Sequence, residues 1–248
     1  GGYYGGCLAR AGHEVFFIAR GAHLQAIQQQ GLSIKSAKGD FRIETPKSGE
    51  RCDPNFDPDL VIVAVKSWQL PEITEEIKNY CTPSTLILPL QNGADASDIL
   101  ADTLGPERVL GGLTKIFSKI EAPGVINHFT GATYIGFGEY FQDPQFQNAP
   151  DSLSDRCRNL EKELDSTPGI DAEAFVDIQK ELWRKMLIFV STSGVGTITR
   201  TPNGVFRSIP ETREMLIQLI REILIIGQAK KVNLSLIHIS EPTRPNNI

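Results

Sequence analysis

The sequence predicts an α/β protein, a parallel sheet wound by helices on both faces and followed by an all-α C-terminal domain. Two observations carry that prediction. The first is a set of short, continuous apolar runs, 15–19, 60–65 and 85–90, each followed by a helical segment. Unbroken apolar runs of this length are what a parallel strand covered on both faces requires, and strands alternating with helices give βαβ units with right-handed crossovers. The second is a change of pattern from Ile178 onward, where only helical periodicity remains.

The elements follow in order. A helical stretch runs to Ala11, Gly12 and His13 turn the chain, and 15–19 is a buried strand that ends at Arg20. A helix over 23–30 is closed by Gly31, as glycine commonly closes helices. Residues 33–35 and 41–45 read as a small hairpin, and 60–65 is the next buried strand. A helix over 70–80 admits Pro71 in its first turn, where no backbone donor is lost. After the strand at 85–90, Gln91, Asn92 and Gly93 turn the chain into a helix that stops at Gly105 and Pro106. Residues 124–138 read as two short strands and 152–164 as a charged helix ending near Pro168 and Gly169. Beyond these come a helix over 178–193, an irregular stretch over 194–204 rich in Thr, Pro and Asn, and a long helix over 211–231. The domain boundary is expected near Thr167, giving domains at 1–167 and 168–233.

Both ends read as unnatural. The opening Gly-Gly-Tyr-Tyr-Gly-Gly enters a helical pattern at once, as if the chain were cut inside an element. Residues 235–244 carry neither a cap nor a matching period and resemble a translated sequencing adapter, so 234–248 is expected to be a non-native tail.

Composition narrows the function classes. At 248 residues, 40% of them apolar and 22% charged, the chain can bury a sizeable core. A net charge of −5 offers no basic field for a nucleic-acid backbone. Cys7, Cys52, Cys81 and Cys157 lie far apart with no CxxC pair, which speaks against a zinc knuckle or a dithiol redox motif and for free thiols in a reducing cytoplasm. The most apolar stretch, 215–226, is interrupted by Arg221 and Glu222, so no membrane span is expected.

The chemistry begins at the first residues. A nucleotide-binding βα turn uses glycines so that backbone N–H groups can approach a pyrophosphate at a helix N-terminus, and Gly1 and Gly2 look like the end of such a loop. Alone, they read equally as a flexible end. Arg20 closes the second strand, where a dinucleotide site of the Rossmann type reads the ribose. An acid there suits the 2′-hydroxyl of NAD and an arginine the 2′-phosphate of NADP; a solvated surface arginine is the plainer alternative. Lys66 directly follows a buried strand and Asn92 lies in the turn after the next, both at the carboxyl rim where open α/β sheets bind ligands. They read otherwise as a strand-end lysine and a turn former. Lys185 sits on an amphipathic helix among Trp183, Met186, Leu187 and Phe189, where partial desolvation would lower its pKa and make it a better proton donor near neutrality. A structural lysine is the alternative. Trp68 and Trp183 are expected to pack, and His128 to be satisfied locally.

Taken in order, Gly-Gly-Tyr-Tyr-Gly at the start, 9–15 (Ala-Arg-Ala-Gly-His-Glu-Val), Ala19-Arg20, 65–69 (Val-Lys-Ser-Trp-Gln), 91–93 (Gln-Asn-Gly) and 183–185 (Trp-Arg-Lys) resemble the ketopantoate reductase family over nearly all of residues 1–231. The resemblance implies a Rossmann-type domain binding NADP, with the first strand and first two loop glycines lying before Gly1. It implies a cytoplasmic enzyme of pantothenate biosynthesis that reduces 2-dehydropantoate or a similar small 2-keto acid, with no metal, and it is compatible with a homodimer. By the same resemblance, Lys66 lies beside the nicotinamide, Asn92 touches cofactor and substrate, Lys185 protonates the substrate carbonyl, and Asn203 and Ser193 stand at substrate-binding positions. Asn203 also reads as part of a Pro-Asn-Gly turn.

The pattern departs from the family on the helix after Lys185, where two asparagines are replaced by Phe189 and Ser193. A benzyl group cannot hydrogen-bond a hydroxyl or carboxylate, and polar sites can discriminate by ~10⁴ or more against analogues lacking the partner group. A related dehydrogenase with another hydroxy-acid or acyl substrate is therefore one alternative, and a non-catalytic NADP-binding or sensing protein another. With part of the phosphate loop and the family's later Ser and Glu absent, the 248-residue chain is expected to have little or no activity.

Overall fold

In the computed structural model, which describes residues 1–141 and 152–235, the expected strands pair in parallel. β1 (Phe16–Ile18) pairs with β4 (Lys47–Gly49), and β5 (Leu60–Val63) pairs with β6 (Leu86–Pro89), with Leu60 opposite Leu86. Ile87 of β6 also makes a parallel bridge to Val109. The connecting helices are α1 (Gly2–Arg10), α2 (Gly21–Gln30), α3 (Leu70–Lys78) and α4 (Ala96–Leu104). Leu70 and Ile77 of α3 and Leu100 and Leu104 of α4 bury against Val63, Ile87 and Val109. This packing, rather than intrinsic propensity, accounts for the stability of such short helices. The α/β fold class read from the sequence holds.

A second, mixed sheet has the order β3 (Phe41–Ile43), β2 (Leu32–Ser36), β8 (Val125–Glu139), β7 (Leu110–Ala122), with β9 (Asp171–Ala174) alongside β8. The expected hairpin is present as the antiparallel β2–β3 pair. Gly31, which ends α2 at φ +79, permits the approach of the β3 end: a Cβ there would lie 2.4 Å from the carbonyl oxygen of Ile43. The expectation of two short strands over 124–138 is corrected to one long strand, paired antiparallel with β7, an element absent from the sequence reading. Much of β7 beyond Leu113 is exposed and mixed in polarity, so its conformation is decided by the ladder to β8 rather than by a local apolar signal.

The chain divides into two compact units, Gly1–Gln91 with Asp95–Ile178, and Asn92–Ala94 with Gln179–Ile248. β9 pairs with β8, so the segment after Thr167 packs within the first unit up to Ile178. α5 (Asp155–Asp165) opens on Ser154, whose side chain accepts from the Cys157 N–H in an ordinary N-cap.

The second unit is helical. α6 (Ile178–Thr199) continues through residues expected to be irregular, and α7 (Asn203–Ser208) and α8 (Pro210–Ala229) follow. The hydroxyls of Thr192, Thr197 and Thr199 donate to the carbonyls of Ile188, Ser193 and Val195, one turn back. These bonds keep threonine inside the helix instead of diverting its backbone. Leu187, Val195, Phe206, Leu216, Ile220 and Leu224 form this unit's core. Val232 and Leu234 join it, while the rest of the expected tail, from 236 on, lies outside the described residues. Among the described residues no helix is long and apolar enough to cross a membrane.

Candidate functional site

In the first unit the rim begins where α1 starts. Gly1 is the N-cap and supplies no side-chain cap, so the first backbone N–H groups of α1 point out of the helix without intrahelical acceptors. A Cβ on Gly1 would lie 3.4 Å from the Ala64 Cβ, and on Gly2 2.9 Å from the Ile126 side chain. Glycine at both positions therefore lets the turn sit close to the end of β5, and the bare helix start is chemically suited to a pyrophosphate.

Arg20 follows β1 and caps α2. Its guanidinium reaches α3, with Nη1 3.3 Å from Glu72 Oε1 and Nη2 3.7 Å from Glu76 Oε2. Lys66 is exposed beyond β5; its backbone N–H donates to Gln69 Oε1 at 3.1 Å across a single 3-10 turn, Ser67–Gln69. Trp68 in that turn is 76% exposed, which corrects the expectation that it packs. Trp183, by contrast, packs against Gly227 and the core of the second unit.

Gln91 was not among the expected site residues. It is buried, and its Nε2 donates to the carbonyls of Val63 and Val65, both at 3.1 Å, while its Oε1 has no hydrogen-bond partner. It thereby ties the turn after β6 to the end of β5, just before Lys66. A glutamine directly after an apolar strand was the available signal, but its direction is a tertiary property.

The second unit holds the closest pairing of expected residues. Lys185 Nζ donates to Asn92 Oδ1 at 2.8 Å, bringing together two residues far apart in sequence. Lys185 Nζ also lies 5.2 Å from the Phe189 ring centroid, a cation–π contact. Lys185, Phe189 and Ser193 recur at helical spacing and share one face of α6, with Phe189 and Ser193 exposed. Asn203 is the first residue of α7 and is exposed. A half-buried ammonium held by an amide oxygen, beside exposed polar positions, can orient and protonate a small carbonyl compound. His128 is fully buried, with Nδ1 2.8 Å from Ser36 Oγ and Nε2 without a partner, and burial lowers its pKa. Its local hydroxyl contact matches the expectation for Nδ1 alone. No group of His, Cys, Asp and Glu among the described residues could hold a metal ion.

The family model for ketopantoate reductase PanE/ApbA matches residues 1–140, and the model for the C-terminal region of the same family matches 177–241. The chain belongs to the ketopantoate reductase family. As a ketopantoate reductase family member it is an oxidoreductase, either a 2-dehydropantoate 2-reductase or a related hydroxy-acid dehydrogenase, and the family's redox partner is a nicotinamide cofactor. It is 30% identical over 227 residues to the uncharacterized oxidoreductase YkpB of Bacillus subtilis, covering 90% of this chain and 70% of that protein. The crystal structure of 2-dehydropantoate 2-reductase from Geobacter metallireducens superposes with a TM-score of 0.83 at 25% identity, over 97% of this chain and 77% of that one. A D-mandelate dehydrogenase solved with NADH and anilino(oxo)acetate shares the fold, with a TM-score of 0.80 at 20% identity over 95% of this chain and 73% of that one.

Proposed function

We propose that the protein reduces 2-dehydropantoate, or a similarly small 2-keto acid, to the 2-hydroxy acid with NADPH. The observation that carries this reading is the hydrogen bond from Lys185 Nζ to Asn92 Oδ1 at 2.8 Å, in a ketopantoate reductase family chain. When bound, NADPH supplies the hydride that no side chain can. The chain's own residues do the rest. Gly1 and Gly2 leave backbone N–H groups open to the pyrophosphate, Arg20 pairs with the 2′-phosphate, and Lys66 lines the nicotinamide side of the rim. Asn92 holds the Lys185 ammonium with its oxygen and keeps its amide N–H groups for substrate or cofactor. Lys185 transfers a proton from Nζ to the substrate carbonyl oxygen as the carbonyl carbon is reduced, and regains it from solvent. Asn203 and Ser193 hold polar groups of the substrate. The free state of Cys7, Cys52, Cys81 and Cys157 accords with a cytoplasmic location.

A second reading is favoured by Phe189, which is 44% exposed and lies over the face occupied by Lys185. An aromatic wall at that position suits a 2-keto acid carrying an apolar or aromatic group. The experiment is NADPH oxidation by the full-length protein with 2-dehydropantoate and with a phenyl-bearing 2-keto acid. Preference for 2-dehydropantoate supports the first reading, and preference for the phenyl compound supports the second. Tight NADPH binding with no turnover of any 2-keto acid would refute both.

A further inference from the structure

We propose that Glu72 and Glu76 of α3 set the cofactor preference by competing with the 2′-phosphate for the guanidinium of Arg20. This rests on the NADPH reading above and refines it. Arginine grips a phosphate through two adjacent N–H groups of its planar fork, and that bidentate geometry is what distinguishes it from a simple point charge. In this protein both terminal nitrogens of Arg20 already face carboxylates: Nη1 faces Glu72 at 3.3 Å and Nη2 faces Glu76 at 3.7 Å. The two acids are four residues apart and so project from one face of α3, whose N-terminal turn contains Glu72. A phosphate bound to Arg20 must displace or share these contacts and then sits close to two like charges. A ribose 2′-hydroxyl meets no such repulsion and can donate to either carboxylate, which is how acids read the ribose of NAD.

The two acids differ in how easily they give way. The Glu72 side chain is 67% exposed and can swing into water at little cost. The Glu76 side chain is only 21% exposed, and its Oε1 is buried without a hydrogen-bond partner. Glu76 also acts on its surroundings: the phenol of buried Tyr80 is pushed above its ordinary range, first by burial and next by the Glu76 charge. Glu76 is thus the fixed negative charge of the pair and Glu72 the adjustable one. The ribose pocket combines an arginine that favours NADP with two acids that oppose it, so the discrimination falls short of what Arg20 alone would produce.

The test measures binding of 2′,5′-ADP and 5′-AMP, redox-inert probes of the adenosine half, to the full-length protein by titration calorimetry. Glu76→Gln is expected to tighten 2′,5′-ADP by about fivefold, as removal of one close like charge predicts, and to leave 5′-AMP within about twofold. Glu72→Gln should act in the same direction but by less, and more weakly still as salt is raised. An unchanged or reduced ratio of the two affinities in both variants would overturn the proposal. If Glu76→Gln does not fold, Glu76→Asp and Glu72→Gln carry the same comparison. Failure of the NADPH reading is distinguishable: the wild type would then bind 5′-AMP at least as tightly as 2′,5′-ADP, and Arg20→Ala would leave that ratio unaltered.

Discussion

Replacing Lys185 with alanine separates catalysis from structure. Nζ is 2.8 Å from Asn92 Oδ1, and Lys185 is half-buried while Asn92 is exposed, so water can take over the vacated acceptor. The stability cost should be about 0.5–1 kcal/mol, the net value of one hydrogen bond with an accessible partner. For a chain of this size that lowers Tm by about 2–4 °C. The catalytic cost is larger. A positioned general acid contributes about 10²–10⁴-fold, which corresponds to roughly 3–5 kcal/mol of barrier. The assay is steady-state NADPH consumption by the full-length protein on its best 2-keto acid, with thermal melting of the same samples. Lys185→Arg keeps the charge but holds its proton too tightly to release it, and should stay within about tenfold of Lys185→Ala. If Asn92 acts by orienting the ammonium, Asn92→Ala should cost much less in the Lys185→Ala background than in the wild type. Retention of more than about a tenth of wild-type turnover by Lys185→Ala, with its melting unchanged, would refute the assignment of Lys185 as the acid.

Phe189→Asn restores a hydrogen-bonding group on the Lys185 face of α6, and should raise kcat/KM for 2-dehydropantoate relative to a phenyl-bearing 2-keto acid by about tenfold or more; the ratio from a competition assay checks this. Gly31→Ala forces a Cβ to within 2.4 Å of the Ile43 carbonyl oxygen at φ +79, and should destabilise the first unit by about 2–4 kcal/mol in urea unfolding. Glu139 accepts from Arg156 Nε at 2.7 Å and from Ser154 Oγ at 2.6 Å; burial pushes its pKa up, but these bonds and the Arg156 charge outweigh it and leave the carboxyl below its usual 4.5. A depressed folded-state pKa contributes stability that is complete above the unfolded value and is lost as pH falls through the folded one. Melting of the wild type should therefore decline below about pH 4.5 more steeply than that of Glu139→Gln, and parallel acid profiles would count against the pair. Arg156→Met, which strands the partly buried carboxylate, should cost about 1–3 kcal/mol at neutral pH, measured by the same melts.

The sequence by itself determined the features that have a local or repetitive signature. Continuous apolar runs located β1, β5 and β6, and helical period with glycine and proline punctuation located α2, α3 and α8, because burial on two faces or on one stripe leaves those patterns in the chain. The order of the short motifs from Gly1 to Lys185 determined the family, since each stands at a turn or strand end whose backbone geometry restricts the residue. Tertiary structure alone decided the rest. β7 owes its conformation to a ladder with β8, and a mixed, largely exposed strand carries little local signal. The threonine-rich end of α6 stays helical because its hydroxyls turn back onto carbonyls of the same helix, a choice that composition leaves open. The pairing of Lys185 with Asn92, the burial of Gln91 between two strand ends and the hold of Glu72 and Glu76 on Arg20 join residues distant in sequence. Hydrogen bonds and ion pairs of that kind are set by where the folded backbone delivers each side chain, so the sequence could nominate the groups while only the fold could bring them together.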